Sequence, residues 1–229
     1  MIVRGSGATS QSFDPTDIKT MTTIWRLGVI LVHAVPLLTV RRGADTMGMA
    51  APIYWTADMV RQLPDDGNRY EVVYGELLVT PAPRLSHQLM VSRLFHALAE
   101  YLAGEPVGIV LTSPADISWG RDDVLVQPDL FVVPVDEVRT GDWSRLRSLR
   151  LAIEVLSPST TRADRFTKRR RYQEARLPAY WVVDGADQSV EVWTPDAEFP
   201  VVERQRLGWH PAGAGQPFTL ELAELFRPV

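Results

Sequence analysis

A chain of 229 residues with 45% apolar and 23% charged residues is long enough, and ordinary enough in composition, for one substantial globular domain with a real core. A formal net charge of −4 excludes a protein that coats nucleic acid through bulk charge, so any nucleic-acid contact has to be local. The absence of cysteine excludes disulfides, thiolate zinc sites and cysteine nucleophiles and fits a reducing, cytoplasmic setting, and His33, His87, His96 and His210 show no zinc-ligand spacing.

Residues 1–50 read as a poorly structured or non-native extension. Their first half is irregular and Ser/Thr/Gly-rich, and Met47 and Met49 are alternative natural starts. The apolar run from Ile24 to Val40 sits at the short limit for a membrane span and is interrupted by Arg26, His33 and Pro36, so no membrane contact is expected unless residues 24–40 are a genuine anchor. The folded part is expected over residues 51–195, with residues 196–229 packing on it as a tail.

Trp55 to Leu63 has helical spacing with Thr56 as its N-cap, and Pro64 to Gly67 forms a turn. Arg69 to Thr80 reads as a hairpin bending at Tyr74-Gly75. Leu89, Met90, Leu94, Leu98 and Leu102 recur at intervals that predict an amphipathic helix over Ser86–Ala103, closed by Gly104. Strands are expected at Val107–Leu111, Ala115–Trp119, Val124–Val133 and Leu149–Leu156, with a charged loop over Asp136–Ser148 that has room for one helical turn. A second helix runs from about Arg162 to Ala175, followed by strands Ala179–Asp184 and Ser189–Trp193; the apolar segment Phe218–Phe226 has no assigned type. That order suggests one α/β domain around a mixed sheet.

Asp129 and Glu154 lie inside two of the most apolar strands. A carboxylate there is costly to desolvate unless it is paired, hydrogen-bonded or bound to a metal. Alternation places Asp129 on the face of Phe131 and Val133, and Glu154 on that of Ala152 and Leu156. If the strands are neighbours, the two carboxylates reach a common point, where hard oxygen ligands favour magnesium or manganese. Lys168 lies about two turns into the following helix, with Tyr172 four residues on. The same helix carries Arg162, Arg165 and Arg169, candidates for phosphate contact, although a solvated face is the simpler reading of its arginines.

Six spaced strings carry a resemblance: Tyr70 to Leu77 (YEVVYGEL), Pro81-Ala82-Pro83 with Ser86-His87, Pro128-Asp129-Leu130, Ile153 to Thr160 (IEVLSPST), Asp164 with Lys168 and Tyr172, and Tyr180 to Asp184 (YWVVD). In this order, over about residues 52–195, the chain resembles the Uma-two family of the PD-(D/E)XK restriction-endonuclease-like superfamily. The resemblance implies a restriction-endonuclease-like core with a central mixed sheet flanked by helices, a DNA endonuclease activity, a magnesium ion (manganese as an alternative) held by Asp129 and Glu154, and an upstream acid completing the site. Glu76 is ranked above Glu71 for that acid, Glu71 having the alternative of pairing with Arg69 or Arg84. His87 and Tyr172 are additional candidates, and a homodimer is compatible with cutting a duplex. The chain departs from the superfamily pattern two residues after the glutamate, where Leu156 replaces the usual lysine. Lys168 is the residue able to supply that charge from the helix; without it, the fold would serve as an inactive module binding nucleic acid or protein.

Overall fold

The computed structural model describes residues 53–228. The predictions for residues 1–50, including the apolar run, lie outside them. Helix α1 (Ala57–Arg61) starts at Thr56, whose hydroxyl accepts from the Met59 amide at 3.3 Å. Strands β1 (Arg69–Val73) and β2 (Glu76–Thr80) form the expected hairpin. Its two-residue bend, Tyr74-Gly75, has positive φ at both positions (55° and 75°), the conformation that matches strand twist in a tight hairpin. Gly75→Ala is therefore expected to destabilise the fold by about 1–2 kcal/mol, read by urea unfolding, because a Cβ disfavours that backbone and meets the Tyr54 ring.

Helix α2 (Leu85–Gly104) buries Leu94, Leu98 and Leu102, and Met90 packs beside them. The predicted strand at Ala115–Trp119 is reduced to a single bridge between Ile117 and Val126. The apolar run Val124–Val133 is two strands rather than one: β4 (Val124–Leu125) pairs with β1, and β5 (Leu130–Val133) enters another sheet. Pro128 explains the break, since it cannot donate to a ladder. Within the predicted loop, α3 (Val135–Val138) is one helical turn.

A six-stranded sheet of order β3-β5-β6-β7-β8-β9 forms the centre, made by β3 (Ile109–Thr112), β5, β6 (Leu151–Val155), β7 (Tyr180–Asp184), β8 (Ser189–Trp193) and β9 (Val201–Glu203). It is mixed: β6 and β7 run parallel and every other pair is antiparallel. The parallel pair requires a crossover, supplied by α4, a π-helical segment (Ala163–Lys168) running into an α-helix (Arg169–Glu174). One sheet face packs on α2, with Leu130, Val132, Ile153 and Trp181 inside. Against the other face lie Tyr172 of α4 and Val73 of the three-stranded sheet β2-β1-β4, with Phe131, Ala152, Tyr180 and Val182 between.

Residues beyond 195 are woven into this architecture. β9 is the last strand of the main sheet. The pair β10 (Arg206–Trp209) and β11 (Phe218–Glu221) leads into α5 (Leu222–Phe226), and Leu207, Trp209, Phe218, Leu222 and Leu225 join the α2 core. The unassigned segment Phe218–Phe226 is thus a strand followed by a helix.

Candidate active site

Extending the β5–β6 register, in which Leu130 faces Ile153, by one step sets Asp129 opposite Glu154. Opposed residues of an antiparallel pair point to the same face, here the one covered by α4 and the smaller sheet. Asp129 stands at the point where the chain passes from one sheet to the other. One of its oxygens accepts from the Val155 amide at 2.8 Å and contacts His87 Nε2 at 3.0 Å; the other accepts from Arg69 at 2.8 Å.

Behind Asp129, Lys168 reaches three carboxylates: Glu71 at 2.8 Å, Glu154 at 3.1 Å and Asp164 at 3.2 Å. The Tyr172 hydroxyl donates to the same Glu154 oxygen at 3.4 Å, so Lys168 and Tyr172 do share a face. Glu71, Glu154, Asp164 and Lys168 are each no more than 1% exposed. Arg69 links the two layers, binding Asp129 and lying 3.8 Å from Glu71.

The upstream acid in this cluster is Glu71, and the ranking of Glu76 above it is corrected. The register pairs Glu71 with Leu78 and Val73 with Glu76, so both glutamates lie on one face of the hairpin. Glu76, however, is displaced by two residues along the strand, about 7 Å, and is exposed beside the bend. Glu71 is further held by the Gln127 amide, which donates to it at 2.7 Å from the stretch where the long apolar run breaks.

The arginines divide. Arg165 is engaged by Asp184 (2.8 Å) and Glu191 (2.7 Å). Arg169 bonds Gln173 and lies over the Trp193 ring. These contacts pull both onto the fold, whereas Arg162 stays exposed at the start of the helix. Sequence reasoning did not place Arg69 and Asp164 in the site. Asp164 stood in a recognised string, four residues before Lys168; for Arg69 the signal was its two-residue spacing from Glu71 on a strand.

Four carboxylates, Glu71, Asp129, Glu154 and Asp164, thus face two permanent cations, Arg69 and Lys168. Burial pushes the Glu154 carboxyl well above the ordinary range; Lys168 opposes this, while Asp164, Asp129 and Glu71 repel its charge. Burial also raises Asp164. Burial disfavours the Lys168 ammonium, but Glu154, Glu71 and Asp164 outweigh it and hold its pKa well above normal. Burial would raise Asp129 too, yet the His87 hydrogen bond and the Arg69 charge bring it down to about 2. The buried oxygens of Glu71 and Asp164 nearest Lys168 have that ammonium as their ion-pair partner, at 2.8 and 3.2 Å. The excess of buried negative charge over the two cations suits a hard divalent cation. Among the described residues, however, no three His, Asp or Glu side chains already stand as a ligand set, since Lys168 and Arg69 lie between them.

Asp129, Arg69 and His87 line a cleft of about 1010 Å³, walled by Arg84, Gln88 and Phe95 on one side and by Ser113, Gln127, Ser157 and Ser159 on others. Glu71, Glu154 and Lys168 lie behind that wall. No helix among the described residues is long and apolar enough to cross a membrane.

Comparison with known proteins follows the same direction. The crystal structure of a putative nuclease belonging to DUF820 from Anabaena variabilis matches with a TM-score of 0.61 and 21% identity, covering 75% of this chain and 97% of that one. This likeness shows the fold: a mixed α/β architecture with a central sheet flanked by helices. The curated proteins include no match. The Uma2 family, described as putative restriction endonuclease, matches residues 57–223, which span every strand among the described residues and the whole carboxylate cluster, and the chain belongs to that family.

Proposed function

We propose that this protein is a cytoplasmic, divalent-metal-dependent endonuclease that hydrolyses phosphodiester bonds in DNA. The observation that carries the reading is that Asp129, on the wall of a wide cleft, stands opposite Glu154 directly behind that wall, with the buried Lys168 in contact with Glu154. Asp129, Glu154 and Glu71 would hold magnesium or manganese, which when bound lowers the pKa of a water and stabilises charge on a phosphoryl group. The protein's own contribution is positional. His87 and the Val155 amide fix the Asp129 carboxylate at the cleft wall. Tyr172 and Lys168 fix Glu154 one layer behind it, and Lys168 keeps a positive charge among acids where negative charge develops in the reaction.

A second reading is a nuclease-fold module that binds nucleic acid or protein without cutting. The saturation of Asp129 by Arg69, His87 and Val155, together with Leu156 at the usual lysine position, favours it. Titration calorimetry with magnesium or manganese, paired with cleavage assays on plasmid and linear duplex DNA, separates the two. The nuclease is expected to take up metal with measurable heat and to cut only when it is present. Absence of both uptake and cleavage would leave the binding module.

A further inference from the structure

We infer that Asp164 is a positioning residue for Lys168, and that the π-helical turn carrying both is what makes a helix-borne lysine serviceable to the carboxylates on the sheet. This assignment rests on the nuclease reading of the site.

Lys168 has three ammonium protons and three carboxylate neighbours. Two of them, Glu71 and Glu154, come from strands on either side of the cluster; the third, Asp164, lies on its own helix. In charge alone Asp164 is a liability, since it adds a fourth buried carboxylate to a site that has two permanent cations. Its presence therefore calls for a role other than neutralisation. The geometry supplies one. A lysine side chain has four rotatable bonds and reaches its targets in many rotamers. An acid four residues earlier on the same helix restrains the ammonium from one side while the strand acids restrain it from the other.

Asp164 is itself well fixed. Its amide donates to the Thr160 carbonyl at 2.9 Å, and its carbonyl accepts from the Tyr180 hydroxyl at 2.9 Å. The same carbonyl receives the Arg169 amide five residues on, the bond that defines the π turn. Such a turn inserts one extra residue into a helix, and in this one both Asp164 and Lys168 are fully buried. A backbone lock at Asp164 is thus transmitted to the position of the Lys168 Nζ.

The chain offers an unusually clean test, because Lys19 and Lys168 are its only lysines. In full-length protein labelled with 15N-lysine, Asp164→Asn is expected to displace the Lys168 Nζ–H signal and to speed its exchange with solvent. In the cleavage assay kcat is expected to fall roughly ten- to hundredfold with KM changed by less than about twofold, the scale of a misplaced catalytic group. On a Lys168→Met background the same substitution is expected to cause no further loss, because its effect runs through the lysine. An unmoved Nζ signal, or an equal further loss in the double variant, would overturn the assignment. The NMR measurement needs no substrate, so a wild-type protein that failed to cut DNA would count against the nuclease reading and leave the test of Asp164 intact. If Asp164→Asn alone fails to fold, the double variant with Lys168→Met removes acid and ammonium together and is expected to fold. Its failure to fold would make Asp164 a structural residue and overturn the proposal.

Discussion

Glu154→Gln is expected to abolish metal-dependent DNA cleavage, a loss of about 10³-fold or more in kcat, while leaving the protein as stable as wild type or more so. Both halves of that expectation come from the same geometry. Gln keeps an oxygen to accept from Lys168 and Tyr172, but it removes the charge a metal requires. It also removes one of four carboxylates crowded around two cations, and burial together with repulsion from Asp164, Asp129 and Glu71 already holds the Glu154 carboxyl well above its ordinary range. A group whose folded-state pKa is raised opposes folding as pH rises through the carboxylate range, so making it neutral removes that penalty. Asp129→Asn is expected to lose cleavage equally but to cost stability, because Asp129 is held down to about 2 by partners that favour its charge. Its stabilising contribution is present at neutral pH and is lost only as pH falls from its unfolded value of about 4 towards 2. Plasmid cleavage and thermal unfolding measured on both variants check the pair. A Glu154→Gln protein that cuts DNA at the wild-type rate would remove the basis of the proposed chemistry.

The faces of Asp129 and Glu154 were legible in the sequence because they depend on strand alternation, and the condition that the two strands be neighbours is met by the β5–β6 pairing. Both acids interrupt runs so apolar that the strands could be read directly, and parity then assigned their faces. Lys168 and Tyr172 were legible for a similar reason, four residues apart on a helix leaving the second strand. What escaped depended on the chain changing partners. Val124–Val133 reads as one strand, and only the exchange of β1 for β3 and β6 as neighbours, across Gln127 and Pro128, brings the smaller sheet against the site. Without that junction, Glu71 has no evident target, and Glu76, beside the recognisable Tyr74-Gly75 bend, looks the better choice. Local patterns carry no information on where two sheets meet. Arg69 and Asp164 were hidden by the same logic: their spacing from Glu71 and Lys168 puts each beside a candidate, but their roles follow from what they face in the folded chain.

Lys168→Met is expected to be the most destabilising single change in the site. It preserves much of the buried aliphatic stem but takes the ammonium from between Glu71, Glu154 and Asp164. Removing one partner of a buried ion cluster leaves uncompensated charge, at a typical cost of about 3–5 kcal/mol. For a domain of this size that corresponds to a fall in Tm of roughly 6–20 °C. Lys168→Arg is not expected to be silent either, since a planar guanidinium replaces a compact point charge in a fully buried position. The carboxylates left behind yield a more diagnostic result. With the ammonium gone, magnesium or manganese becomes the available counter-charge, so either metal should raise the Tm of Lys168→Met by more than that of wild type, through binding to the folded state alone. Adding Glu154→Gln to Lys168→Met should recover part of the lost stability and weaken the metal response, because it removes both the stranded charge and a ligand. Thermal unfolding of the three proteins with and without metal measures all of this without any substrate. A Lys168→Met protein that melted with wild type would show that the ammonium is not what holds these acids together, and the reading of the cluster as a charge site completed by Lys168 would fall with it.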